Sequence, residues 1–288
     1  MINGDGLNRA TVAAGSLIRQ TPAMRSSRRW AWLGVLAAGL ILYFVVLRTL
    51  IHTQNPNFVP ALILLGATVV PLAFLTFAQA RTGRWQVPAS ALLVAALFGG
   101  VIGTVVAGTL EYDTLRGLGM LPMILVAIIE ETAKLIVPVV LLFTLLLRHG
   151  RRLPTDGLVI GVAAGMGFAA LETMGYAFTA LLSSQGNIGS VEQTLFVRGL
   201  TAPAGHTAWT GLTAGALWAL IASPTGKHVL TFIATFVGAV ALHASWDTFG
   251  GIVPYVILAI ISVGWLLLAL RRYRAFDELS GTHEPLTL

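Results

Sequence analysis

Runs of about twenty apolar residues recur along this chain, set apart by short polar stretches. A run of that length crosses the hydrocarbon core of a bilayer as one helix. Eight runs are readable: Trp30–Leu47, Phe58–Phe77, Pro88–Leu110, Leu118–Leu147, Gly157–Leu182, Leu200–Ala222, Val229–Phe249 and Val253–Leu270. They predict an all-α fold, a polytopic transmembrane helix bundle of about eight spans. The fourth and fifth runs exceed the length a bilayer needs, which predicts tilted or protruding helices.

Basic residues set the expected orientation. Fourteen fall on one side: Arg9, Arg19, Arg25, Arg28, Arg29, Arg81, Arg84, Arg148, Arg151, Arg152, Lys227, Arg271, Arg272 and Arg274. Only Arg48, Arg116 and Arg198 fall on the other. Positive charge accumulates on the cytoplasmic side, so both termini are expected in the cytoplasm. Residues 1–29 are rich in Gly, Ser, Thr and Arg and predict a disordered cytoplasmic arm. Ser27-Arg28-Arg29 resembles a twin-arginine signal, but seven further runs follow the first, which fits a retained anchor. Residues 30–270 form the membrane domain and 271–288 a short cytoplasmic tail. Ser183–Gly199 is the only long loop expected on the far side. Trp30, Trp32 and Trp85 fall near predicted interfaces, as belt anchors do. A multi-pass cell-membrane location follows.

Composition narrows the chemistry. The chain has no cysteine, which removes disulfides, zinc–thiolate sites and thiol nucleophiles. Its net charge of +6 reads as topology signal rather than nucleic-acid binding.

Ionisable residues inside the runs carry the functional signal. Glu130, Glu131 and Lys134 lie on the fourth run, Glu172 on the fifth, His206 on the sixth, and His243 and Asp247 on the seventh. A charge at the bilayer centre costs about 2.5–3.5 kcal/mol, so four carboxylates and a lysine cost about 12–18 kcal/mol. That rivals the net stability of a domain. At 1.5 Å per residue, Glu130 lies about 18 Å, Glu172 about 15 Å and both histidines about 10 Å from the outer helix ends. Four helices thus offer polar groups to one layer in the outer half of the membrane.

Facing directions agree. Glu130 and Lys134 are four residues apart, as are His243 and Asp247, and each pair shares a helix face. Gly157, Gly161 and Gly165 make a small-residue stripe that continues to Glu172 and points it into a helix contact. Pro138 removes a backbone donor and clashes with the Lys134 carbonyl, so a kink is expected just after the glutamates.

Structural readings stand beside these. Glu130 and Lys134 could simply neutralise each other. Glu131 faces about 100° away from Glu130, so one lysine is not expected to satisfy both. A lone buried histidine such as His206 can merely bond a carbonyl. Asp156 reads as a helix cap. Gly99/Gly103 and Gly211/Gly215 read as packing. His52, His149, His228 and His283 lie in loops or tails.

The set suits water activation. Glu130 is the candidate general base for peptide-bond hydrolysis, with His243, backed by Asp247, stabilising the oxyanion. Glu131 and Lys134 would tune the charge of the site, and Glu172 and His206 would position the water. Alternatively Glu172, His206 and His243 would bind a divalent metal such as zinc. His-Glu-x-x-His is absent. A proton-coupled transporter is the main rival, since buried carboxylates and histidines also build proton relays. An inactive scaffold binding a partner helix through the glycine stripes is the second.

Glu130-Glu131-Thr-Ala-Lys134, Phe168-Ala-Ala-Leu-Glu172, Arg198 with Pro203 and His206, and His243-Ala-Ser-Trp-Asp247 resemble the PrsW family of intramembrane proteases. Asp156-Gly157 opening the helix of the second motif matches as well. The resemblance covers a protease-like core of roughly residues 118–250. It implies cleavage of a membrane-anchored protein, an anti-sigma factor in the best-known case. The family is similar to the CAAX prenyl endopeptidases and bacteriocin-processing enzymes, whose motifs imply Glu130 as base and His243 as oxyanion donor. This chain has Glu172 and Asp247 where those relatives have histidine and asparagine, and Lys134 one position before their arginine.

Overall fold

In the computed structural model, residues 29–82, 87–149 and 153–281 are described. The arm before Arg29, Trp85, Arg84, Arg151, Arg152 and the tail after Gly281 lie outside them. Ten α-helices are found among the described residues: α1 Ala31–Thr53, α2 Val59–Arg81, α3 Ala89–Leu118, α4 Met123–Lys134, α5 Ile136–His149, α6 Pro154–Ser183, α7 Ile188–Thr201, α8 His206–Ala222, α9 Gly226–Thr248 and α10 Ile252–Gly281. Short 3₁₀ turns, Pro56–Phe58 and Ala202–Ala204, precede α2 and α8. No strand occurs among them, so the protein is a helical membrane bundle.

Among the described residues, six helices are long and apolar enough to cross a membrane: Ala31–Thr53, Pro56–Arg81, Ala89–Leu118, Pro154–Ser183, Gly226–Thr248 and Ile252–Glu278. The other two expected spans take different forms. The fourth run is not one tilted helix. It breaks at Leu135 into α4 and α5, of 12 and 14 residues. Leu135 N–H bonds the carbonyl of Thr132, so the last turn of α4 tightens before the chain restarts. Pro138 then sits in the first turn of α5, where a missing N–H costs nothing. The predicted kink is therefore present as a one-residue interruption at Leu135, which keeps right-handed helical backbone at φ −80° and ψ −14°. The sixth run starts late: α8 begins at His206 and has 17 residues. Leu200 belongs to the end of α7. The expected loop Ser183–Gly199 is largely helical, because α7 occupies most of it. Its start is capped by Asn187, whose side chain accepts from Gly189 N–H.

α6 is the central element. Seventeen of its 30 residues are buried, and α2, α3, α7 and α8 surround it. Small residues make this possible. A Cβ on Gly161 would meet Thr210 O at 2.4 Å, and one on Gly165 would meet His206 O at 2.3 Å. On the opposite face Gly167 lies against α3, where a Cβ would fall 1.8 Å from Ala96 O. Gly167→Ala is therefore expected to lower stability by about 1–3 kcal/mol, measured as a shifted unfolding midpoint in detergent. Gly175→Ala on the same helix, where nothing lies within 4 Å of the new Cβ, is expected to show no such loss.

Asp156 is not the cap of α6. The helix starts after Leu153 with Pro154 in its first turn, and Asp156 is the acidic residue of that turn, placed well for the helix dipole. Nearby, the Thr155 hydroxyl donates to buried Asp277 and ties α10 to the start of α6.

Candidate active site

The helix break at Leu135 ends α4 on its polar motif, with Glu130, Glu131, Ala133 and Lys134 all buried. α3 and α9 flank α4, and α9 and α6 flank α8. This ring brings together every site residue read from the sequence.

Lys134 is fully buried and central. Its ammonium lies 3.1 Å from Glu130 Oε2, 2.8 Å from Glu131 Oε1 and 2.6 Å from His206 Nδ1. One lysine does reach both glutamates, contrary to expectation. It stands four residues after one and three after the other, and both spacings are neighbours on a helix. The Phe168 ring, 4.3 Å away, covers the same ammonium.

The two histidines sit with ring centroids 4.9 Å apart. His206 accepts from Lys134 through Nδ1, which leaves the proton on Nε2. Nε2–H then donates to Glu172 Oε2 at 2.8 Å. The same carboxylate oxygen takes Arg198 Nη2 at 2.6 Å, while Arg198 Nε donates to Thr173 Oγ1 at 3.3 Å. Glu172 thus faces α8 along the glycine stripe, as expected, and is clamped by α7. His243 places Nδ1 2.9 Å from Glu131 Oε1 and Nε2 3.2 Å from Asp247 Oδ2. Two carboxylates, one on each ring nitrogen, are the partners of a doubly protonated imidazole. Trp209 stacks on this ring at 4.9 Å and is itself held by Ser262, which accepts from its indole N–H at 3.0 Å.

Glu130 stands apart in one respect. Its Oε2 faces His243 Nε2 at 3.5 Å and is buried without a hydrogen-bond partner beyond its ion pair with Lys134. Glu131, fully buried, spends Oε1 on Lys134 and His243. The neighbouring glutamates therefore do different things. Glu131 orients, and Glu130 presents an oxygen beside an imidazole.

Two participants were not among the site residues read from the sequence. Arg198 was noted only within a motif, because its long side chain reaches Glu172 from α7, a segment read as loop. Glu111, near the end of α3, has a buried Oε1 without a hydrogen-bond partner. It also feels the charges of Glu130, Lys134, Glu172 and His243. The signal available for it was a carboxylate one position past the expected end of the third run.

Residues 87–270 match the family model described as PrsW family intramembrane metalloprotease. The chain belongs to this family. No curated protein and no solved structure matches it significantly. The PrsW match spans α3 to most of α10 and so contains the whole ring of site residues.

The family description implies a metal. Glu130, His206 and His243 each offer one ligand atom, all within 4.8 Å of one another. One carboxylate and two imidazoles suit a zinc-type ion, and the carboxylate oxygen is among the buried atoms lacking a hydrogen bond. The residues fit a metal in kind, but the Lys134 ammonium lies 2.6 Å from His206 Nδ1 and 3.1 Å from Glu130 Oε2, so an ion there would have to displace it. The group differs from the expected Glu172, His206 and His243. Glu172 lies at Nε2 of His206, on the ring edge away from Glu130 and His243, and Arg198 already neutralises it.

Proposed function

We propose that this protein hydrolyses a peptide bond of a membrane-anchored protein, with Glu130 as the base that deprotonates water. The observation that carries this is the pairing of Glu130 Oε2 with His243 Nε2 at 3.5 Å inside a buried, multi-helix polar cluster. A reacting carbonyl docked beside this pair lies within reach of both a base and a donor. Lys134 pairs with both glutamates and holds the α4 motif in place. Glu131, on Nδ1, orients His243, and its Nε2–H, which faces Asp247 and Glu130, is the donor to the oxyanion in place of its contact with Asp247. Glu172, clamped by Arg198, sets the tautomer and tilt of His206. The leaving amine takes back the proton that Glu130 accepted.

A second reading has an observation of its own in the Glu130–His206–His243 group. A zinc ion held there would polarise the carbonyl and lower the pKa of water. In that reading Glu131 would orient the His243 imidazole through Nδ1 and Glu172 that of His206 through Nε2, and Asp247 would yield Nε2 of His243 to the ion. Chelator treatment separates the two. Glutamate-type chemistry retains cleavage after metal is stripped, and the metal reading loses it and regains it with added zinc.

We place the site toward the extracytoplasmic face, with both termini cytoplasmic, in the cell membrane, on the balance of basic residues. A single-span protein such as a membrane-anchored anti-sigma factor, cut near that face, is the substrate class this placement and the family resemblance support. Kinship with the CAAX prenyl endopeptidases belongs to the same proposal.

The test is a comparison of protein N-termini in membranes of cells making either the wild-type chain or Glu130→Gln. New N-termini within or beside single spans are expected only with wild type. Identical sets would refute the reading, and reconstituted transport without cleavage would replace it with the carrier alternative. His243→Gln is expected to lower the cleavage rate by about 10²–10³ with little change in KM, as loss of one oxyanion donor does.

A further inference from the structure

Away from the catalytic ring, where α1 hands over to α2, a cavity of about 940 Å³ opens between α1, α2, α6 and α7. Its volume falls in the range of roughly 300–1,000 Å³ typical of small-molecule sites. Leu50, Val59, Ile63, Gly175, Phe178 and Ile188 line it. The lining also includes Gln54 and Asn187, each of which has one side-chain polar atom bound to the backbone. Gln54 Nε2 donates to Ile51 O at 2.7 Å, and Asn187 Oδ1 accepts from Gly189 N–H at 2.9 Å. The cavity walls therefore favour a hydrocarbon occupant.

A cation adjoins it. Ile51, part of the lining, also lines a shallower groove on α1 together with Phe44, Leu47, Arg48 and His52. Arg48 is exposed and makes no ion pair among the described residues. It is also one of few basic residues on its side of the bundle, where arginine is disfavoured. An arginine beside an apolar cavity is complementary to a phosphate joined to an acyl chain.

We propose that this cavity is a phospholipid site. One acyl chain enters between α1, α2, α6 and α7, and the phosphate pairs with Arg48, with His52 beside it. Its walls are shared with the catalytic ring, since Gly175 follows Glu172 on α6 and Ile188 lies on the helix that carries Arg198.

Gly175 makes the test specific. A Cβ there meets nothing within 4 Å, so Gly175→Ala leaves the cavity open, while Gly175→Phe adds a ring on its lining. The full chain in detergent is titrated with phosphatidylglycerol and followed by native mass spectrometry. Wild type and Gly175→Ala are expected to retain one phosphatidylglycerol. Gly175→Phe and Arg48→Gln are each expected to bind at least tenfold more weakly while unfolding at the wild-type midpoint. Dioleoylglycerol, which lacks the phosphate, is expected to bind wild type at least tenfold more weakly. Wild-type affinity in either Gly175→Phe or Arg48→Gln overturns the proposal. So does displacement of the lipid by an equal concentration of inorganic phosphate, or a bound protein chain in place of lipid. Catalysis does not enter the readout, so failure of the protease reading leaves this test intact.

Discussion

Glu130→Gln is expected to lower substrate cleavage by about 10³–10⁴ while leaving the fold intact. General-base catalysis is worth about 10²–10⁴, and the upper half of that range applies because no second group is placed to substitute. Glu131 Oε1 is committed to Lys134 and His243 at 2.8 and 2.9 Å. Glu172 Oε2 is committed to Arg198 and His206 at 2.6 and 2.8 Å. Asp247 lies across the imidazole of His243. Glutamine keeps the volume of Glu130 and can still accept from Lys134, so the unfolding midpoint is expected to stay close to wild type. Initial rates with a reconstituted single-span substrate check this. Near-normal cleavage by Glu130→Gln removes the base from the account.

Lys134→Met has the largest expected effect on stability. Its ammonium, fully buried, pairs with two carboxylates of its own helix α4 and reaches α8 through the His206 imidazole. Removing one partner of a buried ion pair strands the other's charge and costs about 3–5 kcal/mol. Glu130 and Glu131 then keep His243, at 3.5 and 2.9 Å, so the cost falls within that range. Replacing both partners by apolar groups costs far less. The double variant Lys134→Met with Glu131→Leu is accordingly expected to recover part of the loss. Unfolding midpoints of the singles and the double form the cycle. A single variant with wild-type stability contradicts the bridge.

Much of this arrangement was legible in the sequence because it follows local periodicity. Glu130 with Lys134, and His243 with Asp247, are four residues apart, and a helix alone makes each pair neighbours at 3.1 and 3.2 Å. The Gly157–Gly161–Gly165 stripe likewise declared which side of α6 packs on α8, and so which way Glu172 points. What escaped depends on groups far apart in the chain. Glu131 meets His243 across 112 residues and His206 meets Lys134 across 72, and no spacing rule reports such contacts. The ligand group therefore shifted from Glu172 to Glu130. Arg198 was obscured because amphipathic α7 reads as loop by hydropathy alone. The interruption at Leu135 was foreseen as a kink, because Pro138 marks where a helix cannot continue undisturbed.

The most direct test of the account uses two purified components, this protein and one single-span substrate, in liposomes. Mass spectrometry reads the products formed in ¹⁸O-labelled water. The account predicts two fragments cut at or near the membrane span, with ¹⁸O in the new carboxyl group, and intact substrate with Glu130→Gln. An uncut substrate with wild-type protein, when that same substrate is cut in cells only in its presence, would contradict it, as would equal labelling by wild type and Glu130→Gln.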